Sequence, residues 1–315
     1  MSQVILLSAI GGDLAQNVAR CLRDDIRGCR LIGLDVSSQN SGSLFVEEFL
    51  LAQKPSSKTF ISSLTEIIKL TKPDFYFPLN ELELTKLASI SVDDLNVILG
   101  STKIIWAGAQ VLNTFLSKKS TMAFLKNIGV TTPLGFELSR IESLRYPLIV
   151  KPNKSSGSKG IFICKNKQEL DAALVFVSEP EIQEYIPDVE AEYTVGVFAR
   201  NGVQVKSVCF RRKLSGGYTS WCEYVYDAQV EDICTKIAKK IKLHGSLNVQ
   251  LRKRDGKFYV FEINPRFSST VHIRSQIGFK DVIWSIDENV DIEKFKPEQI
   301  PYSKFGVFQT ASRLK

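Results

Sequence analysis

Histidine is scarce in this sequence. Only His244 and His272 occur among 315 residues, so a three-histidine metal site is impossible, and no HExxH motif is present. A Ser–His–acid triad would depend on one of these two residues, but the GxSxG sequence that carries the nucleophile in many hydrolases is absent. We therefore interpret both histidines as structural residues and exclude HExxH metalloproteases and GxSxG hydrolases.

Long apolar segments are also missing, since no run reaches the roughly 18 residues that a membrane-spanning helix needs. The segment VILLSAI near the N-terminus follows no basic residue and leads into Gly11-Gly12-Asp13. This is typical of a buried strand entering a turn rather than of a signal peptide. The six cysteines show no CxxC pairing, which favours reduced thiols over disulfides or zinc ligands. These absences predict a cytoplasmic protein without a membrane partner.

Positive charge is in excess, with a formal net charge of +7, but the basic residues are dispersed along the chain. Zinc-finger spacing and aromatic RNA-binding signatures are absent. We therefore expect no nucleic-acid partner and favour anionic small molecules as ligands. The length of 315 residues suffices for two domains, or for one domain with a large second lobe.

The first hundred residues alternate continuous apolar runs with helical spacing. The runs VILLSAI (4–10), CRLIGLDV (29–36) and DFYFPL (74–79) predict buried strands of a parallel sheet flanked by helices. Such an order invites a nicotinamide site, but only Gly12 and Ala15 of a GxGxxG/A window are in place. A tight turn explains the glycines and a strand-end cap explains Asp35, so a dinucleotide site remains a weaker alternative.

Two basic segments follow. Lys118 lies at the start of a helix predicted over 118–129, and the segment 146–166 consists of two short strands joined by a loop of Gly, Ser and Lys. The first of these strands ends at Lys151. Glycine lets backbone N–H groups approach phosphate oxygens and lysine adds charge, although the Walker GxxxxGK[ST] pattern cannot be fitted. The loop is either a lid over a triphosphate or a flexible basic hairpin tip.

The stretch FYVFEINPRFSST (258–270) places Glu262 and Asn264 two residues apart, and therefore on one face of a strand. A buried carboxylate is costly unless it is paired or binds a metal. The pair is either a set of oxygen ligands for a hard cation, with Arg266 beside an anion, or a strand end that reaches solvent.

Together these segments resemble the ATP-grasp superfamily, in particular its carbamoyl-phosphate-synthase-like carboxylate–amine ligases, over most of the chain. The resemblance implies an α/β fold that becomes α+β in its C-terminal part. It implies a Rossmann-like pre-ATP-grasp domain (1–98) and a two-lobed ATP-grasp domain (99–315). Within the second domain we expect a small lid lobe at about 117–182 and a large lobe at about 183–315.

The resemblance also implies residue roles. The nucleotide-binding set is Lys118, Lys151, the glycine-rich flap Ser155, Ser156, Gly157, Ser158, Lys159 and Gly160, the hinge Glu184, Tyr185 and Ile186, and the ribose-binding Glu192. The implied magnesium ligands are Gln250, Glu262 and Asn264, and the catalytic cations are Lys151 and Arg266. Arg212 and Ser268 are candidate substrate residues, or else parts of solvated loops. The family often has an acid before the first lysine, where this chain has Ser117.

The activity implied is ATP-dependent. A carboxylate is activated as an acyl phosphate and coupled to an amine, with ADP and phosphate as products, two Mg²⁺ ions as cofactors and Mn²⁺ as a substitute. The partners are a small-molecule carboxylate and an amine, and a homodimer is compatible with the resemblance. A non-catalytic ATP-binding module of the same fold is the main alternative, and a nicotinamide-dependent oxidoreductase is the weaker one.

A geometric expectation follows for the hairpin at 248–264, which turns near Asp255-Gly256. If these two residues were the whole turn, paired positions would sum to 511 and Gln250 would face away from Glu262. A shared metal site requires position 250 to lie opposite position 262. We therefore predict a bulge or a three-residue turn. A two-residue turn without a compensating bulge would remove Gln250 from the site.

Overall fold

The computed structural model describes residues 3–137, 145–153, 160–187, 192–215 and 218–307. The predicted flap residues Ser155, Ser156, Gly157, Ser158 and Lys159 lie outside these ranges. Within the described residues, no helix combines the length and apolar character needed to cross a membrane. All six cysteines are buried and free, as the absence of paired spacing predicted.

The N-terminal part is a five-stranded parallel sheet with strand order β3-β2-β1-β4-β5, which confirms the predicted parallel sheet. Its strands are β1 (Val4–Leu7), β2 (Arg30–Asp35), β3 (Glu48–Leu51), β4 (Phe75–Phe77) and β5 (Lys103–Ile104). The accompanying helices are α1 (Asp13–Asp25), α2 (Phe60–Thr71), α3 (Glu81–Ala88), α4 (Val92–Leu99) and α5 (Ala109–Phe115). The sheet thus continues past the boundary at residue 98 that we expected, because β5 pairs with β4.

Burial explains why these segments form the sheet and its helices. The central strand β1 buries Ile5, Leu6 and Leu7 completely, as expected for a strand covered by helices on both faces. Helix α1 buries residues at helical spacing, among them Val18 and Leu22, which is the stripe that packs on the sheet. The helix begins after a turn at Ala9, whose φ is +53°. The carboxyl end of β1 therefore leads directly into the N-terminus of α1.

The lid lobe contains a four-stranded antiparallel sheet with strand order β6-β9-β7-β8. Its elements are β6 (Gly135–Phe136), β7 (Leu148–Pro152), β8 (Phe162–Cys164), α7 (Lys167–Phe176) and β9 (Pro180–Glu184). One face of this sheet packs on α7 through Leu148, Val150 and Ile182. Because side chains alternate along a strand, the residues between them face the opposite side.

Helix α6 (Lys118–Asn127) precedes the lid sheet in sequence, but it packs on the large lobe. Its Leu125 is fully buried in the core of that lobe, and Met122 and Phe124 pack against the same core. The helix thus brings its first turn, which carries Lys118, to the junction of the two lobes.

The large lobe is built on a six-stranded antiparallel sheet with strand order β14-β13-β10-β11-β12-β15. Its strands are β10 (Glu192–Arg200), β11 (Gln204–Ser215), β12 (Tyr218–Val225), β13 (Gly245–Arg254), β14 (Lys257–Asn264) and β15 (Lys304–Gly306). Its helices are α8 (Ala228–Lys240), α9 (Val271–Gln276) and α10 (Asp281–Ile286). One face packs on α8 through Val195 and Val197, and Phe198 and Phe210 lie in an aromatic cluster on the other face.

The β13–β14 hairpin has both a two-residue turn and a bulge. Arg254 pairs with Lys257 across Asp255 and Gly256, whose φ angles are +50° and +74°, the signs that a type I′ turn requires. The expected three-residue turn is therefore not formed. Further along, Leu251 pairs with Val260 and Gln250 with Glu262, so Phe261 is the extra residue of a bulge. Gln250 lies opposite Glu262, as the bulged alternative predicted.

Candidate functional site

A cavity of about 620 Å³ lies where the N-terminal sheet, the lid lobe and the large lobe meet. Twelve of the residues selected from the sequence line it: Lys118, Lys151, Glu184, Tyr185, Ile186, Glu192, Arg212, Gln250, Glu262, Asn264, Arg266 and Ser268. Gly160, the last residue of the predicted flap, has a φ of +71° and lies next to Pro152. The fold therefore brings almost every described candidate to one place.

Lys151 is a buried ammonium group on the cavity face of β7. Its side chain donates a hydrogen bond of 3.2 Å to the carbonyl oxygen of Phe261, the bulged residue of β14. Burial lowers the pKa of Lys151 to about 8, and the charge of Glu262 partly opposes this shift. The bulge thus orients Glu262 toward Gln250 and also places a carbonyl acceptor beside Lys151.

Asn153 holds the first turn of α6 in place, although the family's usual acid is replaced by Ser117. The Asn153 carboxamide oxygen accepts hydrogen bonds from the Ser117 hydroxyl at 3.0 Å and from the Lys119 backbone at 3.1 Å. The Lys118 backbone N–H donates to the Asn153 carbonyl at 3.1 Å. Asn153 lies just after β7 and was missed from the sequence, because nothing local marks it as a partner of α6.

Glu262, Asn264 and Gln250 form the candidate cation site. With its nitrogen toward Glu262, the Gln250 amide lies 2.9 Å from a Glu262 carboxylate oxygen, and its own oxygen lies 3.2 Å from an Arg212 nitrogen. Within the described residues, no cluster of three His, Cys, Asp or Glu side chains could hold a metal. A cation here would use one carboxylate and amide oxygens, which suits Mg²⁺ shared with phosphates and water. Glu262 and Asn264 fit the implied ion, whereas in this orientation Gln250 turns its amide oxygen toward Arg212, and its role as a ligand stays a prediction.

The hinge between lid and large lobe is fixed by ion pairs and backbone bonds. Glu184 accepts from the Leu134 backbone at 3.0 Å and from Arg254 at 2.9 Å. The Ile186 carbonyl accepts from Arg252 at 2.7 Å, and the Arg252 guanidinium lies 5.4 Å from the centre of the Tyr185 ring. The Glu184 carboxylate thus ties the hinge to the β13–β14 hairpin, while Tyr185 and Ile186 face the cavity.

Glu192 and Arg212 form a buried ion pair that lines the cavity. Arg212 donates to one Glu192 carboxylate oxygen at 3.1 and 2.6 Å, and Arg252 lies 3.5 Å from the other oxygen. The charge of Glu192 is therefore compensated, as a carboxylate that is 8% exposed requires. The ribose role of Glu192 and the substrate role of Arg212 stay predictions.

Ser268 is tied to the protein interior. Its hydroxyl accepts from Arg274 at 2.7 Å and lies 2.9 Å from the Thr270 hydroxyl. Arg274 in turn forms an ion pair with Asp281 at 2.6 Å, and both residues are fully buried. This network fixes the segment that follows Arg266, and a substrate role for Ser268 stays a prediction.

Two acids of the N-terminal domain were not selected from the sequence. Asp13, at the start of α1, and Glu81, at the start of α3, both line the cavity. Burial raises the pKa of each carboxyl, and the positive charge of Arg266 opposes both shifts. An acid just after a glycine turn was the available signal for Asp13, whereas no local pattern distinguishes Glu81.

The glycine turn after β1 does not resemble an open dinucleotide site. The Asp35 carboxylate accepts hydrogen bonds from the backbone of Gly11 at 2.8 Å and of Ser37 at 3.1 Å. A Cβ at Gly11 would lie 2.8 Å from this carboxylate. Asp35 therefore closes over the turn, where a ribose acid would have to remain free. This geometry disfavours the nicotinamide alternative.

Comparison with known proteins identifies the family of the segment that carries most of these residues. The family description that matches residues 116–270 is the ATP-grasp domain. This part of the chain is an ATP-grasp domain. The matched segment runs from the residue before Ser117 to the serine–threonine segment after Arg266, and so contains most of the side chains that line the cavity.

Two curated relatives match parts of the chain. D-alanine--D-alanine ligase of Fusobacterium nucleatum is 28% identical over 175 residues, which are 50% of this chain and 60% of that protein. The carbamoyl phosphate synthase large chain of Clostridium beijerinckii is 24% identical over 251 residues, 71% of this chain and 23% of that protein. The chain therefore spans less than two thirds of the length of either relative.

Among solved structures, L-amino acid ligase from Bacillus licheniformis superposes with a TM-score of 0.74 at 16% identity. The superposition covers 99% of this chain and 81% of that one. At this identity the likeness establishes the fold. It confirms the predicted mixed fold, in which a parallel sheet is followed by antiparallel sheets.

Proposed function

We propose that this protein is an ATP-dependent ligase that couples a carboxylate to an amine and releases ADP and phosphate. The observation that carries this proposal is the convergence of Lys118, Lys151 and Arg266 with Glu262 and Asn264 on one cavity of about 620 Å³. Three cations beside oxygen ligands for Mg²⁺ suit a triphosphate, because phosphoryl transfer depends on positioning and charge neutralisation.

The nucleotide would lie with its base at the hinge and its phosphates toward β14. Glu262 and Asn264 would hold Mg²⁺, with Gln250 bonded to the Glu262 carboxylate. The ion, when bound, neutralises phosphate charge and polarises the γ-phosphoryl group. Lys151 and Lys118 add charge from the lid side and Arg266 adds it from the domain junction. The number of ions and their exchange for Mn²⁺ are part of the proposal.

The proposed reaction has two steps. A substrate carboxylate oxygen attacks the γ-phosphorus, the bond to the β-phosphate oxygen breaks, and ADP leaves with the electron pair. The amine nitrogen then attacks the acyl carbon, and inorganic phosphate leaves as the amide forms. Arg266 would stabilise the transferred phosphoryl group.

The N-terminal domain supplies the groups that suit an amine. Asp13 and Glu81 face the cavity with pKa values raised by burial, and each could accept the proton that the attacking amine releases. Arg266, on the same side, could bind a carboxylate. Similarity to a D-alanine--D-alanine ligase and to an L-amino acid ligase also supports amine-bearing carboxylates, such as amino acids, as substrates.

The test is a screen of carboxylate and amine pairs, amino acids first, for release of phosphate from ATP in the presence of Mg²⁺. We expect one class of pairs to release phosphate with formation of an amide of the expected mass. Glu262→Gln should abolish the release, while Glu298→Gln, an exposed acid outside the cavity, should not. Tight ADP binding with no turnover across the whole panel would favour a non-catalytic ATP-binding module and contradict the ligase.

A further inference from the structure

A second cavity, of about 290 Å³, lies in the N-terminal domain at the carboxyl ends of β1 to β4, with α2 along one side. Among the described residues, only Ala9 and Asn80 line both this cavity and the one of about 620 Å³. Its volume exceeds the roughly 150 Å³ that suffice to hold a benzene molecule. The second cavity therefore has room for a small molecule of its own.

Most of the wall of the second cavity is apolar. The apolar lining consists of Leu34, Val36, Ala52, Pro55, Phe60, Leu64, Ile67 and Leu82. Leu34, Phe60 and Leu64 are buried, whereas Val36 and Leu82 are exposed. A ligand with an apolar body would cover the exposed side chains and remove apolar surface from water, which is favourable.

A buried carboxyl group interrupts this apolar wall. Glu83 is 4% exposed and lines the second cavity. Its two carboxylate oxygens accept hydrogen bonds from the Ser8 and Tyr76 hydroxyls, and the Ser8 hydroxyl oxygen accepts from the Leu79 backbone N–H at 2.9 Å. These partners fix the carboxyl group but are neutral, and burial raises the pKa of Glu83 to about 7. A cation from a ligand would compensate the charge of the ionised form.

Two further charged side chains line the second cavity. Asp35, at the end of β2, already accepts two backbone N–H groups. Lys54, in the segment after β3, is exposed. The residues of α2 that line the cavity add the Ser63 hydroxyl and no charge. The lining thus holds two acids and one base, and its buried charged group is an acid.

We propose that the second cavity binds a small primary amine with an apolar body, whose ammonium group donates hydrogen bonds to the Glu83 carboxylate. The apolar body packs against Phe60 and Leu64. An alcohol of the same size leaves the carboxylate charge uncompensated, and a carboxylate ligand places a second negative charge beside it. The amine therefore binds more tightly than either. This inference goes beyond the proposed ligase function and does not depend on it.

Three probes that share a phenylethyl body test the head group: 2-phenylethylamine, 2-phenylethanol and 3-phenylpropionate. Calorimetry at pH 7.5 should give the amine an affinity roughly ten-fold or more above that of the alcohol, with the carboxylate weakest. Glu83→Gln should weaken amine binding roughly ten- to hundred-fold and leave the affinity for ADP with Mg²⁺ unchanged. Glu66→Gln, an exposed acid on α2, is the matched control and should bind the amine like the wild type.

The pH dependence gives a readout that a merely structural role of Glu83 would not produce. Lowering the pH from 7.5 to 6 protonates Glu83, whereas a primary amine stays charged over this range. Amine affinity of the wild type should therefore fall at the lower pH. Glu83→Gln should lose this part of the pH dependence.

A second pair of variants tests the cavity while keeping Glu83. Ser63→Phe places a large side chain in the lining, so it should abolish binding of the amine and of the alcohol alike. Ser62→Phe lies next to it on α2, but its position is exposed and outside the lining, and it should bind both probes like the wild type.

Several results would overturn the inference: no binding of 2-phenylethylamine, equal affinity for the three probes, tighter binding of 3-phenylpropionate, or unchanged amine affinity in both Glu83→Gln and Ser63→Phe. Tighter binding of the carboxylate would assign recognition to Lys54 instead. Each of these results leaves the ligase proposal intact, because that proposal is tested separately by phosphate release and by Glu262→Gln.

Discussion

Lys151 lies in a position where a bound anion changes its protonation. Burial lowers its pKa to about 8, so above that pH the ligand-free protein holds a largely neutral lysine. A phosphate beside it favours the charged form and raises the pKa. Nucleotide binding at pH 8.5 should therefore take up roughly three quarters of a proton. Calorimetry of ADP binding in buffers with different ionisation enthalpies measures this uptake.

Two control variants test this prediction. One removes Lys151, and the other removes a lysine far from the cavity. Lys151→Met should bind ADP more weakly and without this proton uptake, whereas Lys126→Met, exposed at the end of α6, should behave like the wild type. Equal proton uptake by the wild type and Lys151→Met would show that another group titrates.

Glu83, on α3 of the N-terminal domain, is a second buried titratable group. Its carboxylate accepts hydrogen bonds from the Ser8 and Tyr76 hydroxyls, and burial raises its pKa to about 7. The folded state therefore holds a proton that the unfolded state releases between about pH 4.5 and 7. The contribution of Glu83 to the free energy of unfolding is therefore fully present at low pH. It is lost as the pH rises through this window.

Urea unfolding at pH 5 and pH 7.5 tests this prediction. The contribution of Glu83 should lower the free energy of unfolding by on the order of 2 kcal/mol between these values. Glu83→Gln should remove that part of the pH dependence. Other raised acids, such as Asp13, titrate in both proteins, so the difference between wild type and variant isolates Glu83. Parallel pH profiles would contradict the prediction.

At the scale of elements, the hairpin shows what sequence can predict. Phe258, Val260 and Ile263 all face the same core. Phe258 and Val260 are two residues apart, as in a regular strand, but Ile263 follows Val260 by three residues. This break in period is the signature of a bulge at Phe261. The Asp-Gly turn favoured two residues, and the metal-ligand pattern favoured Gln250 opposite Glu262. The two-residue turn and the pairing of Gln250 with Glu262 are both present, because the bulge compensates for the short turn.

Pairings between distant segments could not be predicted in the same way. Nothing near Glu192 indicates that Arg212 will bond it, and nothing near Gln183 indicates that its amide faces the cavity. Such contacts depend on the register of strands that are far apart in sequence, which propensity and periodicity do not specify. The sequence therefore predicted which elements carry the site better than which side chains pair inside it.

Gly196 on β10 gives a prediction about how α9 and α10 are held on the sheet. A Cβ at this position would lie 2.8 Å from Cδ and 3.0 Å from Nε of Arg274. Arg274 cannot easily move, because it is fully buried and bonded to Asp281. We expect Gly196→Ala to lower the free energy of unfolding by about 1–3 kcal/mol, as measured by urea denaturation.

The matched control for this prediction is Gly135→Ala on β6, where the added Cβ would meet its nearest neighbour, the Ile182 carbonyl oxygen, at 4.0 Å. This variant should unfold close to the wild type. If Gly196→Ala were equally stable, the Arg274 side chain would have to be less constrained than its bonds to Asp281 and Ser268 indicate.

At the scale of the molecule, one cavity is shared by three structural units. The parallel sheet contributes the first turns of α1 and α3, the lid contributes the cavity face of β7 to β9, and the large lobe contributes β13 and β14. Ligands commonly bind at the carboxyl ends of parallel strands, which is where Asp13 and Glu81 lie. The N-terminal domain is therefore part of the site and would act on the substrate rather than on the nucleotide.

The proposed substrate role of the N-terminal domain can be tested with two variants. Asp13→Asn and Glu81→Gln each remove a carboxylate but keep the shape of the side chain. We expect kcat/KM for the amine to fall about ten- to hundred-fold, since bonds to charged groups are lost, while the dissociation constant for ADP with Mg²⁺ stays within about two-fold. Asp93→Asn, at the exposed start of α4, is the control. An equal loss of ADP affinity in either cavity variant would place its carboxylate at the nucleotide and contradict a substrate role.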